Sequence, residues 1–166
     1  SPIFVKIASK IAKFVSKSQN FVSQGSNEDG QLGSGDGKNY SSPRKVTTLP
    51  AIKNVACGSR HMLCLAETGG HVYSCGWNAY GQLGNSTREP STTPIILDLG
   101  FSTRQVECGW RHSIIVTSDG AVFTCGWNLY GQLGLGGTTD VLKPTRVKGL
   151  EGSVRDVNAG VVKCVP

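Results

Sequence analysis

Short apolar runs alternate with Gly-rich and polar segments through most of the chain, and this spacing predicts β-strands rather than helices. The segment "IKNVACG" alternates apolar and polar residues and stops at Gly58. The next segment, "HMLCLAETGGHVYSCG", holds two apolar runs separated by "ETGG", which is typical of a hairpin. The segment "HSIIVTSDGAVFTCG" has the same form, and "RKVTTL" after Pro43 is typical of an edge strand. The pattern therefore predicts units of about four strands joined by tight turns.

These units repeat along the chain. The stretches "CGWNAYGQLG" (75–84) and "CGWNLYGQLG" (125–134) differ at one position, and "SQGSNEDGQLG" (23–33) is a more degraded copy. The repeated asparagine stands at positions 27, 78 and 128, so the steps are 51 and 50 residues. A second block, "VACGSRHMLCL", recurs as "VECGWRHSIIV" and "VNAGVVKCV". A period of this length with several strands per unit predicts the blades of a β-propeller, with motif blocks at 21–33, 72–84 and 122–134.

The repeated polar residues are predicted to be structural. Asparagine tolerates a left-handed backbone and can bond the chain two residues on, and a glutamine amide can satisfy backbone groups in a buried turn. The repeated histidines are expected to bond a backbone group within their own blade. None of these positions supplies a nucleophile, an acid–base pair or a metal-ligand set, so no catalytic residue, metal or cofactor is predicted. The structural set is Asn27, Gln31, Asn78, Gln82, Asn128, Gln132, His61 and His112.

On the motifs "CGWNAYGQLG" and "VECGWRHSIIVTSDGAVFTCGWN", residues 21–160 resemble the repeats of the regulator of chromosome condensation 1 (RCC1) family. The resemblance implies the family's fold, a seven-bladed β-propeller. It also implies two kinds of activity. The founding member is a guanine nucleotide exchange factor for a small nuclear GTPase that docks on chromatin, and other relatives are scaffolds or parts of ubiquitin ligases.

The sequence departs from the family pattern in two ways. It holds about three units, which form an arc rather than a closed ring. The last unit stops early, and Lys163 stands where His61 and His112 stand in the other units. We expect a piece of a longer chain or a chain lodged against partners, with an oligomeric ring or a truncated ring as the alternatives.

Residues 1–19 have a different pattern, which predicts a basic amphipathic helix before the repeats at 20–166. Three interpretations of this helix remain open: packing on the propeller or a partner, peripheral attachment to a membrane surface through residues 3–17, or organelle targeting. The residues of its membrane- or partner-facing surfaces are Phe4, Ile7, Ile11, Phe14, Lys6, Lys10, Lys13 and Lys17.

Charge and cysteine usage narrow the function further. The four lysines of residues 1–20 supply +4 of the formal +6, so the repeats carry little net charge and no direct nucleic-acid contact is expected. The six cysteines include no CxxC pair, and equivalent cysteines recur about 50 residues apart. They are expected to pack as reduced thiols in a reducing intracellular compartment, cytoplasmic or nuclear, with a mitochondrial or other organellar location as the alternative.

The leading functional prediction is a non-catalytic module that presents variable loops to a protein partner, either a small GTPase or a large assembly. Exchange-factor activity and membrane attachment are the alternatives. Trp110 breaks the repeat beside Arg111, and aromatic and arginine side chains are common anchors of interfaces. Arg88 and Glu89 lie in the loop "NSTREPSTT", which differs from its counterparts. These four residues are the predicted partner contacts.

Overall fold

The computed structural model describes residues 21–150 and 154–160, together with the backbone alone of Ile3–Val5, Ile11–Val15 and Cys164–Val165. The described residues form β-strands and no helix. In chain order the strands are β1 (Ile3–Val5), β2 (Ile11–Val15), β3 (Phe21–Gly25), β4 (Tyr40–Lys45), β5 (Ile52–Cys57), β6 (His61–Ala66), β7 (Val72–Gly76), β8 (Ser91–Ile96), β9 (Thr103–Cys108), β10 (His112–Thr117), β11 (Val122–Gly126), β12 (Val141–Arg146), β13 (Asn158–Ala159) and β14 (Cys164–Val165).

The strands form three four-stranded antiparallel sheets in sequence order, β1–β4, β5–β8 and β9–β12, which we call blades one, two and three. A two-stranded sheet of β13 and β14 follows. Within blade two, Met62 of β6 lies opposite Cys57 of β5 and Cys75 of β7. The predicted all-β fold with four-stranded blades is therefore confirmed.

The apolar core lies between the blades, and the period-two geometry of a strand explains how one strand serves two interfaces. Leu63 and Leu65 of β6 pack with Val106 and Ile115 of blade three. Met62, from the opposite face of β6, packs instead in the cluster that includes Phe21 of blade one. Because both faces of β6 are covered, it reads as a continuous apolar run rather than as an alternating one.

Strand β10 repeats this arrangement one blade later. Ile115 points to the interface with blade two, whereas Ile114 and Val116 pack with Val157 from the segment after blade three. All six residues of β10 are buried. The blades are thus stacked through their central strands, and the loops between strands are left to form surfaces.

The predicted N-terminal helix falls largely on residues outside the described part of the chain and stays a prediction. Strands β1 and β2 are extended, and β2 pairs along its length with β3, from Ile11 opposite Gly25 to Val15 opposite Phe21. Residues 1–2, 6–10 and 16–20 lie outside the described residues, as do the side chains of β1 and β2. The membrane-facing and targeting interpretations of this segment therefore stay predictions.

Five cysteine side chains lie among the described residues, and four of them are buried. Burial raises the pKa of Cys125 to about 12, and it raises the pKa values of Cys75 and Cys108 well above the ordinary thiol value. A thiol that stays protonated is a poor nucleophile and a poor metal ligand. These buried cysteines act as small apolar residues that fill the space between blades.

Candidate partner-binding surface

The repeated "NxxGQLG" segments are turns that leave the third strand of each blade, and their asparagines bond the turn from within. The Asn78 Oδ1 atom accepts a hydrogen bond from the Leu83 N–H at 2.9 Å, and Asn27 and Asn128 do the same for Leu32 and Leu133. The bond reaches five residues along the chain, whereas a reach of two residues was expected. The longer reach closes the whole turn around its buried leucine.

The other end of the asparagine amide holds the loop that follows the turn. The Asn78 Nδ2 group donates to the backbone carbonyls of Thr87 and Glu89, each at 3.0 Å. The Gln82 Oε1 atom accepts from the Tyr80 N–H at 3.0 Å, within the same turn. The side chains of Asn78 and Gln82 are buried. They therefore replace the backbone bonding that this irregular segment lacks.

Removal of the Asn78 amide is expected to destabilise the fold. In the Asn78→Ala variant the Leu83 N–H and two loop carbonyls lose their partner, and a buried polar group left unpaired costs about 1–3 kcal/mol. We expect the free energy of unfolding to fall by about 2–4 kcal/mol, measured by denaturant titration. The exposed Asn158 is the control, because its replacement by alanine should change stability by less than about 0.5 kcal/mol. Equal losses in the two variants would contradict a structural role for Asn78.

The turns also join neighbouring blades. The turn of blade two meets the outer strand of blade three, where a Cβ atom on Gly81 would lie 2.6 Å from the Leu142 Cα atom. The Ser86 N–H donates to the Leu142 carbonyl at 3.0 Å in the same region. The turn of blade one meets blade two in the same way, at Gly30 and Thr92. Glycine is needed at these positions because the backbones touch.

The buried histidines were expected to bond within their own blade, but His61 bonds across to the next one. The Nε2 atom of His61 lies 2.9 Å from the Ser113 Oγ atom of blade three. The Ser113 hydroxyl in turn donates to the Gln82 carbonyl at 2.7 Å. Neither ring nitrogen of His112 has a partner among the described residues. Both rings cover a glycine of the preceding turn, since a Cβ atom at Gly58 or Gly109 would overlap them.

Beside these turns, six aromatic and arginine side chains from blades two and three form one continuous surface. Within each blade, a backbone hydrogen bond joins the turn before the second strand to the turn after the third. The Trp77 N–H donates to the Arg60 carbonyl in blade two, and the Trp127 N–H donates to the Arg111 carbonyl in blade three. The Trp110 carbonyl accepts bonds from Ser59 in the neighbouring blade. We call this the aromatic–arginine surface, and it consists of Trp77, Tyr80, Trp110, Arg111, Trp127 and Tyr130.

Arg111 lies at the centre of the aromatic–arginine surface. Its guanidinium carbon is 4.1 Å from the ring centre of Trp110 and 5.2–5.5 Å from those of Trp77, Tyr80 and Trp127. The Nη1 group also donates to the Tyr80 hydroxyl at 3.0 Å. The aromatic rings contact each other edge-on, with Trp127 between Trp110 and Tyr130. The arginine is therefore held in one position by rings from two blades.

Part of this surface is open to solvent. The exposed fractions are 39% for Trp110 and 67% for Tyr130, and Leu129, which precedes Tyr130 in the turn, is 56% exposed. Trp77, Tyr80, Trp127 and Arg111 are half-buried below them. Large apolar side chains rimmed by polar residues are typical of protein interaction sites.

The four predicted contact residues do not form one group. Trp110 and Arg111 lie together in the aromatic–arginine surface. Arg88 borders it, because its Nη1 group donates to the Ala79 carbonyl and lies 3.7 Å from the Asp140 carboxylate. Glu89 is exposed, and its carbonyl serves the Asn78 amide.

The sequence analysis did not identify Trp77, Tyr80, Trp127 or Tyr130 as surface residues. Their recurrence in each "GWNxYGQLG" turn was the available signal. It was read as structural because the sequence does not show which side of the turn faces outward. The contact between Arg111 and Tyr80 joins residues 31 positions apart in different blades. Only the rotation between blades brings them together.

The fold and its turns define a class, the repeat-built β-propellers. The regulator of chromosome condensation (RCC1) repeat model matches this chain at residues 23–65, 69–116 and 119–162. The chain therefore belongs to the RCC1 repeat family.

Among curated proteins, the chain is similar to the ultraviolet-B receptor UVR8 of Arabidopsis thaliana, at 38% identity over 124 residues. This match covers 72% of the chain and 28% of the receptor. The chain is also 32% identical over 129 residues to the E3 ubiquitin-protein ligase HERC2 of Homo sapiens, and this second match covers 74% of the chain and 3% of the ligase. The chain thus spans a small part of the length of these relatives.

Among solved structures, the chain is similar to Prp20p from Saccharomyces cerevisiae, which was described with its binding properties to Gsp1p and histones. The TM-score is 0.83 at 25% identity, covering 93% of this chain and 40% of that one. Human WBSCR16 matches with a TM-score of 0.81 at 24% identity, covering 95% of this chain and 42% of that one. The second similarity shows the propeller fold alone.

Within the described part of the chain, no group of three or more His, Cys, Asp or Glu side chains is arranged to hold a metal ion. The same residues include no helix long and apolar enough to cross a membrane.

Proposed function

We propose that this chain is a protein-interaction module and that its partner docks on the aromatic–arginine surface. One observation carries the proposal: the exposed rings of Trp110 and Tyr130 both contact Trp127, and Trp110 and Trp127 both pack on the Arg111 guanidinium. Tryptophan, tyrosine and arginine dominate the binding energy of protein interfaces. The rings are already ordered by their mutual contacts, so little side-chain entropy is lost when a partner binds.

The Trp110→Ala variant tests this proposal. Both the wild-type protein and the variant are used to capture proteins from an extract of the source cells, and the captured proteins are quantified by mass spectrometry. We expect the specifically captured partner to fall by about tenfold or more, because a central aromatic anchor contributes about 2 kcal/mol.

The matched control is Ile96→Ala, since Ile96 is an exposed apolar residue of β8 outside this surface. Circular dichroism checks that both variants keep the fold. Partners that bind Trp110→Ala as well as they bind Ile96→Ala would place the interaction elsewhere on the propeller.

Guanine nucleotide exchange on a small GTPase is the second candidate function. It is supported by the similarity to Prp20p, whose structure was described together with its binding to Gsp1p. Exchange of this kind opens the nucleotide site of the GTPase and needs no acid–base pair. The test is the release of a fluorescent nucleotide from a panel of GTPases. An unchanged release rate across the panel would remove this candidate and leave the interaction module.

A further inference from the structure

Arg111 differs from the neighbouring arginines because none of the described carboxylates pairs with it. The ion pairs among the described residues join Arg60 to Asp29 at 2.6 Å and to Glu28 at 4.0 Å, and Arg88 to Asp140 at 3.7 Å. Arg111 is instead surrounded by aromatic faces. We infer that the aromatic–arginine surface recognises an acidic segment of its partner, with an Asp or Glu carboxylate docking on the Arg111 guanidinium. This inference rests on the proposed function and specifies its partner chemistry.

Arg111 is half-buried, and a carboxylate is the group that its guanidinium matches best. Arginine is a planar fork of N–H donors that matches the two oxygens of a carboxylate. Tyr80 accepts from Nη1, and the rings offer faces rather than hydrogen-bond acceptors. The fork is also held by rings from two blades before any partner arrives. A preorganised, half-buried arginine binds an anion more strongly than a freely moving one does.

The side chains around Arg111 specify the residues next to the partner's acid. Trp110 packs on the guanidinium and is 39% exposed, and the exposed Tyr130 ring lies on the other side of Trp127. An acidic residue flanked by an apolar or aromatic one would therefore fill both parts of the surface. The expected ligand is a short protein segment with this alternation.

Single-stranded nucleic acid is the competing ligand, because bases stack on aromatic rings and phosphates bind arginine. The charges at the border favour a peptide. Asp29 and Glu28 lie at Arg60, whose guanidinium is 5.7 Å from the Trp77 ring centre, and Asp140 lies at Arg88. Because these carboxylates neutralise Arg60 and Arg88, the unpaired positive charge of this surface is that of Arg111, which suits a single peptide carboxylate better than a continuous phosphate backbone.

A displayed library of short randomised peptides tests the inference on the intact chain. We expect selection on the wild-type protein to enrich Asp or Glu beside an apolar residue. A selected peptide is then synthesised in its acidic form and with Gln or Asn in place of the acid. The amide form should bind about tenfold more weakly, a comparison that leaves the protein unaltered.

Three protein variants complete the test. Arg111→Gln should weaken the acidic peptide by about tenfold or more, and Arg111→Lys should restore part of the loss, since a lysine keeps the charge but not the fork. Arg44→Gln is the matched control, because Arg44 is an exposed arginine stacked on one ring, that of Tyr40. It should leave the peptide affinity unchanged.

Selection without acidic enrichment, or equal binding of the acidic and amide peptides, would overturn the inference. So would Arg111-dependent binding of a labelled single-stranded oligonucleotide that displaces the peptide. These results would not affect the proposed function, which fails separately if Trp110→Ala keeps its captured partners.

Discussion

Replacement of Gly81 by alanine is expected to be among the most destabilising single substitutions in the repeats. Gly81 has a φ angle of +82°, and an L-residue there costs about 1–2 kcal/mol. The added Cβ atom would also lie 2.6 Å from the Leu142 Cα atom and 3.1 Å from the Val141 carbonyl oxygen. These are backbone atoms of the next blade, so they move only if the two blades separate. The expected loss in free energy of unfolding is about 3–5 kcal/mol, measured by denaturant titration.

The third repeat supplies the control. Gly131 occupies the equivalent turn position with a φ angle of +71°, and a Cβ atom added there would lie 3.8 Å from the nearest described atom, the Gly137 carbonyl oxygen. Gly131→Ala therefore carries the backbone strain without the collision, and it should cost about 1–2 kcal/mol. The difference between the two variants measures the contact between blades. Equal destabilisation would mean that strain alone explains both and that the turn does not join the blades.

Acidification is expected to destabilise the protein well before its carboxylates are protonated. Burial, followed by the charge of His112, lowers the pKa of His61 to about 3, and burial lowers the pKa of His112 to about 4. Both rings are neutral in the folded protein at neutral pH. As the pH falls below the ordinary histidine value of 6.5, the unfolded chain takes up protons that the folded chain does not. Stability is therefore full above pH 6.5 and falls as the pH drops towards the folded-state pKa values.

Between the folded-state and unfolded-state pKa values, each buried histidine makes the free energy of unfolding fall with decreasing pH. The slope approaches about 1.4 kcal/mol per pH unit for each ring. Replacement of His61 by glutamine removes one titrating ring, and its amide keeps a polar group near Ser113. Whatever its stability at pH 7, the variant should lose less free energy of unfolding than the wild type on acidification. We expect its slope between pH 6 and pH 4 to be smaller than the wild-type slope by about 1 kcal/mol per pH unit. Ile96→Ala, an exposed substitution that removes no titrating group, should leave the wild-type dependence of stability on pH unchanged. The prediction fails if the slope of His61→Gln equals that of the wild type.

Much of the scaffold was predictable from sequence because it depends on local pattern repeated at a fixed period. The apolar runs of β6 and β10, the hairpin turns after them and the recurring asparagine each carry their own signal. The sequence predicted that the Asn78 side chain forms a hydrogen bond with the backbone of its own turn. The sequence did not predict that the bond spans five residues, since this span depends on how tightly the turn closes around Leu83.

The surface was harder to predict because it depends on how blades are placed against each other. Trp110 stood out as a departure from the repeat, beside Arg111. The residues around Arg111 could not be predicted from the sequence, because Tyr80 and Trp77 come from the preceding blade. The bond between His61 and Ser113 has the same origin, since it crosses 52 residues between two blades.

The repeated ten-residue segments are structural turns that join the blades and are closed by their own asparagines. Native-state hydrogen exchange measured by NMR tests it most directly, through the backbone amides of Leu32, Leu83 and Leu133. These amides lie in irregular segments, yet each donates to a buried asparagine. The account predicts that they exchange as slowly as the amides of β6 and β10, through global unfolding. Exchange as fast as that of the amides of Lys148 and Gly149, in an exposed turn, would contradict it.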